Sequence, residues 1–325
     1  MKHSATLALL VALTIGFCAA TRLQAQPRQG TAVQETEDEY KVTTYKKFVE
    51  NREPNPAVAY QAARDYMARY AKEDDQYTRY LKVWIVAFEK DDRQDRFLQA
   101  LYSDKNYTAA YGMAKQVLAD DPENLKVLIA LGYGGYLATT NAKNENFNAD
   151  SVRYAHKAIQ LLDSGKSPDV WEPFKNREDT LASLHYAIGV IELKPQPDEA
   201  IARLIKVTQI DSDLKKTPST FYLLAVAYEQ GPYKRLSADY SKRFANQAET
   251  PESKTALENL NKVMDRIIDA YARAVALAAN DSQQQAKKAE WLKRLTDLYK
   301  FRHDNSDAGL NEFIAGVLSK PLPQP

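Results

Sequence analysis

From residue 35 to the end of the chain, apolar positions recur three and four residues apart, and strict alternation over five or more residues is hard to find. That spacing lines one face of an α-helix, whereas a half-buried strand requires alternation. Tyr60, Ala63, Tyr66, Met67, Tyr70 and Ala71 form one such stripe, with Asn55 placed to cap it and Pro56 in its first turn. Asp74 or Asp75 can cap a following helix that carries Tyr77, Tyr80, Leu81, Trp84, Ile85 and Phe88. Pro122, Pro168, Pro195, Pro197, Pro218, Pro232, Pro251 and Pro321 fall between periodic segments. An interior proline costs a helix about 3 kcal/mol, so these positions mark boundaries. The pattern therefore predicts an all-α chain of about a dozen antiparallel helices.

The helical segments also resemble one another. Asn106 to Pro122 places small residues at Ala110, Ala114 and Val117 and closes on Asp121-Pro122. Leu128, Leu131 and Gly132 open the next segment, with Gly135 where an aromatic residue would complete the motif. Ile188-Gly189 repeats the step, and Ala200, Leu204 and Val207 follow it; Phe221, Leu224, Ala225 and Tyr228 repeat it again with alanine for glycine. Ala274, then Trp291 and Leu295, then Gly309, Phe313, Gly316 and Pro321 continue the series. This succession resembles the tetratricopeptide-repeat family over roughly residues 91–321. The resemblance implies an α-solenoid of stacked antiparallel helix hairpins, in which small residues let the two helices of a hairpin approach closely. Polar insertions near residues 139–148 and 229–260, the second holding a helix from Leu236 to Ala245, make the array irregular. Residues 35–90 form a separate N-terminal helical region, and 322–325 a short tail.

Before the helices stands a different kind of segment. Lys2 is followed by an apolar run from Ala5 to Phe17 and by small residues at Ala19, Ala20 and Ala25. Such a run is too short to span a bilayer of about 30 Å but suits a secretory leader. Cleavage after Ala20 or Ala25 is compatible with this pattern; Ala25 is preferred because the polar stretch 26–34 then begins the mature chain as a disordered segment. Lipid attachment at Cys18 is disfavoured by Phe17, which stands where a small residue is usual. The expectation is an exported protein, periplasmic or secreted. Its mature chain loses Lys2, Arg22 and the single Cys, so it folds without a disulfide. No later apolar stretch is long enough to cross a membrane.

Composition narrows the function classes. Lys plus Arg is 44 against 43 acids, and the charges are interspersed, so no basic stripe suits nucleic acid. Three histidines remain after the leader, His156, His185 and His303, with no second His or Cys at metal-ligand spacing. His185 stands where the repeat usually has Trp, which reads as a satisfied packing role. No nucleophile elbow, phosphate loop or dinucleotide fingerprint occurs, and Gly132 to Gly135 lies within a helix pattern, which points to close packing or a kink. The acid pairs Asp74-Asp75, Asp91-Asp92 and Asp120-Asp121 fall at segment ends, as caps and helix-dipole partners. No cofactor or metal is expected, and no catalytic residue is assigned.

In the resembled family the first helix of each repeat lines a concave face. Carrying the phase of Gly132, Gly189 and Ala225 onto these helices places Tyr133, Tyr136, Tyr186 and Tyr222 on that face, with Tyr102 from the first unit and Tyr299 from the last. Tyrosine combines a large apolar ring with a hydrogen-bonding tip, which suits recognition of a protein or peptide partner. The carboxylate-clamp positions of some family members hold Arg96, Ala130, Ala187 and Leu223, which argues against capture of a chain terminus. The expected function is a non-catalytic interaction scaffold. Two alternatives stand beside it: a helical envelope enzyme or carbohydrate-handling module whose carboxylates converge in the groove, and a structural spacer.

Overall fold

The computed structural model describes residues 36–279 and 282–323, and these are all-helical, with no strand among the described residues. The expected leader at 1–25 with Cys18, and the segment 26–34, lie outside them. By their internal contacts, the described residues divide between Lys82 and Val83 into two compact units.

The first unit contains α1 (Glu37–Asn51), α2 (Pro56–Tyr70) and the opening turns of α3 (Gln76–Leu98). Thr36 starts α1 with a reciprocal cap: its hydroxyl accepts from the Glu39 N–H, and the Glu39 carboxylate accepts from the Thr36 N–H at 2.9 Å. Asn55 occupies the cap position of α2 but makes no side-chain cap bond; Pro56 at the first helical position already leaves one donor fewer to satisfy. Asp75 is the cap of α3, accepting from the Thr78 N–H at 2.7 Å. Of the predicted α2 stripe, Ala63, Tyr66 and Tyr70 are buried, Tyr60 and Met67 half-buried, and Ala71 exposed past the helix end. Phe48 from α1 joins them, and the Tyr45 ring lies 6.0 Å from Tyr66 and 4.7 Å from Tyr77.

The second unit continues α3 through a π-helical turn at Gln99–Ser103 into α4 (Tyr107–Asp120), α5 (Leu125–Ala142), α6 (Asn148–Asp163), α7 (Arg177–Ile191) and α8 (Pro197–Gln209). Then come α9 (Pro218–Tyr228), α10 (Lys234–Phe244), α11 (Pro251–Leu277), α12 (Gln285–Arg302) and α13 (Leu310–Gly316). Consecutive helices pack as neighbours from α4 through α9; α9 then pairs with α11, and α11 with α12. Helices α5 and α7 also touch, as do α7 and α9. The small and apolar residues of the repeated pattern form the core: Ala110, Ala114, Val117, Leu131, Ala155, Ala158, Ile188, Ala200, Leu204, Leu224, Ala225, Ala274 and Leu295 are all buried.

Close approach explains the glycines of α5. A Cβ on Gly132 would stand 2.7 Å from the Ala155 Cα, and one on Gly135 2.5 Å from the Ser151 Cβ, so α6 rests directly on the α5 backbone. The buried Ser151 hydroxyl completes the contact, donating to the Gly132 carbonyl at 2.8 Å and accepting from the Gly135 N–H at 3.2 Å. Of the two sequence readings, close packing is the one realised, and α5 is not interrupted there.

Several expected boundaries move. Asp91 and Asp92 lie inside α3, where Asp92 pairs with Arg96 at 2.9 Å one turn on, so they are not end caps. Asp120 ends α4 at the unfavourable pole of the helix dipole and is compensated by Arg93 at 3.0 Å. Thr139 to Ala142 belong to α5, which ends at left-handed Lys143, so the polar loop is shorter than expected. Pro232 does not separate helices: it sits within a π-helical turn, Glu229–Tyr233, that joins α9 to α10. The wider i→i+5 turn accommodates a residue without an N–H, which a regular α-turn does poorly. Gly309 is the left-handed cap of α13 (φ 85°), where an added Cβ would stand 3.3 Å from the Tyr299 hydroxyl of α12, whereas a Cβ on Gly316 would meet nothing within 4 Å and marks no close helix contact.

Candidate functional site

Four helices of the second unit each present residues three or four apart to one groove. These are Tyr136 and Thr140 from α5, Tyr186 and Val190 from α7, Ser219, Tyr222 and Leu223 from α9, and Lys287, Glu290 and Trp291 from α12. On a helix that spacing puts side chains on a single face, one turn apart. The groove encloses about 340 Å³, within the range of small-ligand and side-chain pockets.

Its walls are rings set against rings. Tyr136 and Tyr186 meet edge to face at 5.8 Å and 80°, and Tyr222 stacks on Trp291 at 5.1 Å and 21°. Tyr133 extends the first wall, 5.1 Å from Tyr136 and edge to face with Phe174 at 5.4 Å. Burial pushes the Tyr133 hydroxyl up to about 12 and raises Tyr136 and Tyr186 too, so these phenols stay neutral and remain hydrogen-bond donors. Lys287 and Glu290 are the charged lining residues, one of each sign.

The six tyrosines expected on a common face thus divide. Tyr136, Tyr186 and Tyr222 line the groove, and Tyr133 supports it through Tyr136. Tyr102 lines another cavity, of about 560 Å³, with Leu98, Val170 and Pro173, and its hydroxyl is buried without a hydrogen-bond partner. Tyr299 is buried: it stacks on His303 at 4.1 Å, and its hydroxyl donates to the Ala308 carbonyl at 3.3 Å. Trp291 is the lining residue that the projected tyrosine phase missed. Its sequence signal is a large aromatic on the apolar face of a helix, but that carries no information about which distant ring it stacks on.

The histidines remain apart from the groove. His156 Nδ1 lies 3.3 Å from Arg203, which in turn donates to Glu199 at 2.6 Å. His185 is buried, but its Nδ1 has no hydrogen-bond partner in the protein, so the expected satisfied packing role is met in burial and not in hydrogen bonding. No group of three or more His, Cys, Asp or Glu among the described residues is placed to hold a metal ion, and no described helix is long and apolar enough to cross a membrane. Comparison of the chain with protein-family models, curated proteins and solved structures finds no match.

Proposed function

We propose that this chain is a non-catalytic interaction scaffold of tetratricopeptide-like build, which holds a peptide or protein segment in the groove lined by Tyr136, Tyr186 and Tyr222. The observation that carries the reading is the convergence of these three rings, from three non-consecutive helices, with Trp291 on one cleft. Contacts of α5 with α7 and of α7 with α9 are those that stacked hairpins would make, which supports the repeat resemblance. Rigid aromatic side chains lose little rotamer entropy on binding and are the residues in which binding energy concentrates. A lining with one carboxylate and one ammonium supports binding more than acid–base chemistry, which calls for paired titratable groups. The leader-type pattern before residue 26 supports a place in a cell envelope after export.

Cross-linked co-purification from the native envelope tests this, comparing the mature protein with two variants. One truncates the rings together (Tyr136→Ala, Tyr186→Ala, Tyr222→Ala). The other fills the groove without truncation (Ser219→Trp). A partner held by the unmodified protein is expected to be lost from both, with about 2 kcal/mol or more of binding energy removed by the truncations. Circular dichroism should report unchanged helicity. Equal capture by all three proteins would sink the groove reading.

A further inference from the structure

A further cavity, of about 730 Å³, lies at the end of α5, the start of α6 and the α7–α8 connection and shares Val190 with the aromatic groove; Thr139, Glu145, Asn148, Glu192 and Lys194 are among its lining residues. Glu192 is the C-cap residue of α7 and only 7% exposed, yet its Oε2 is buried with no hydrogen-bond partner. A carboxylate so largely withdrawn from solvent, with one oxygen lacking any donor from the protein, is costly unless a cation or proton compensates it. Two helices, α5 and α7, also end here, and their last carbonyls add partial negative charge. The opposing positive groups are exposed Lys194 and the N-terminus of α6. Two carboxylates, exposed Glu145 and buried Glu192, and one lysine thus line a space large enough for an extended side chain.

We infer that this cavity is a binding site for an organic cation, an ammonium or guanidinium group carried by a small amine or by a basic side chain, with Glu192 as its charge partner. Planar or tetrahedral N–H donors offer this lining carboxylate the compensating charge that the protein does not, and a charge-assisted bond in a shielded site is among the stronger polar contacts. A metal ion fits less well, because no third acid or histidine converges with these two carboxylates. Burial raises the Glu192 pKa, and nearby Glu199 adds to the rise. A bound cation works in the opposite direction and lowers it, which makes the carboxyl its own reporter.

The test titrates the mature protein with agmatine and, separately, with the blocked tripeptide Ala-Arg-Ala, by calorimetry and by carboxyl-carbon NMR of Glu192. Saturable binding of either probe is expected, weakened about tenfold or more in Glu192→Gln. The Glu192 titration should move to lower pH when the probe is present. Binding of agmatine alone assigns a small amine, and binding of the tripeptide alone assigns a basic side chain. The inference is overturned if neither probe binds, if Glu192→Gln binds as tightly as the parent, or if the Glu192 titration does not move in the unmodified protein.

Discussion

His185 and Glu192 stand on one face of α7, seven residues apart, and each buries a polar atom without a partner. Burial pushes the His185 pKa down to about 4, with the nearby cations Arg203 and Lys206, and then His156, adding to the push; Glu199 opposes it. The folded protein therefore holds His185 neutral where an unfolded chain, titrating near 6.5, already takes up a proton. Stability is highest above about pH 6.5 and falls as the pH drops toward 4, by up to about 3 kcal/mol from this side chain. Urea denaturation at pH 7, 5.5 and 4.5 measures the slope, and His185→Phe is expected to flatten it. A slope unchanged by the substitution would assign the acid sensitivity to other groups. The burial of His185 was legible from the apolar positions around it in the sequence, but its missing partner was not. Hydrogen bonding at that site depends on what α6 and α8 bring to it.

At the scale of elements, two glycines of similar local sequence context have opposite roles. Gly132 faces the backbone of α6, where an added Cβ would stand 2.7 Å from the Ala155 Cα, while Gly112 in α4 is exposed with nothing within 4 Å. Gly132→Ala must push the two helices apart and is expected to cost about 1–3 kcal/mol. Gly112→Ala removes backbone freedom from the unfolded chain at a helical position and is expected to add about 0.5–1 kcal/mol. Thermal unfolding of the two single variants checks both signs, and a stabilised Gly132→Ala would refute the close-contact account of α5 and α6. Helix identity itself was legible: Ala110, Ala114, Leu204 and Leu224 lie at the spacing the pattern prescribes, and all are buried. Ends were less legible. Asp91-Asp92 and Pro232 are strong local stop signals, but one lies inside α3 and the other in a π-helical turn. Packing along the rest of each helix outweighs a preference worth a few kcal/mol at one residue.

At the scale of the whole molecule, contacts between residues far apart in the chain decide what is built. Within the second unit, Arg273 of α11 forms a buried pair with Asp269 at 2.6 Å and donates to the carbonyls of Lys320 and Pro321, each at 3.0 Å. Desolvation raises the Asp269 pKa despite this ion pair, which marks how dry the site is. Arg273→Ala leaves that carboxylate buried alone and unpins the end of the chain. A loss of about 3 kcal/mol or more is expected in urea denaturation, with faster amide exchange over residues 317–322. Unchanged exchange there would show that α13 and Val317 hold the segment without the arginine. The all-helical class, most helix positions and the small residues where helices touch could be read along the chain without coordinates. Those properties follow from the 3.6-residue period and from side-chain volume, both local. Only the tertiary structure decided that Tyr136, Tyr186 and Tyr222 share a groove with Trp291, that Tyr299 is buried instead, and that Glu192 faces a second cavity. Those outcomes depend on the angles and offsets at which separate helices pack, with α9 directly against α11 although α10 lies between them in the chain, and no periodicity along a single helix encodes them.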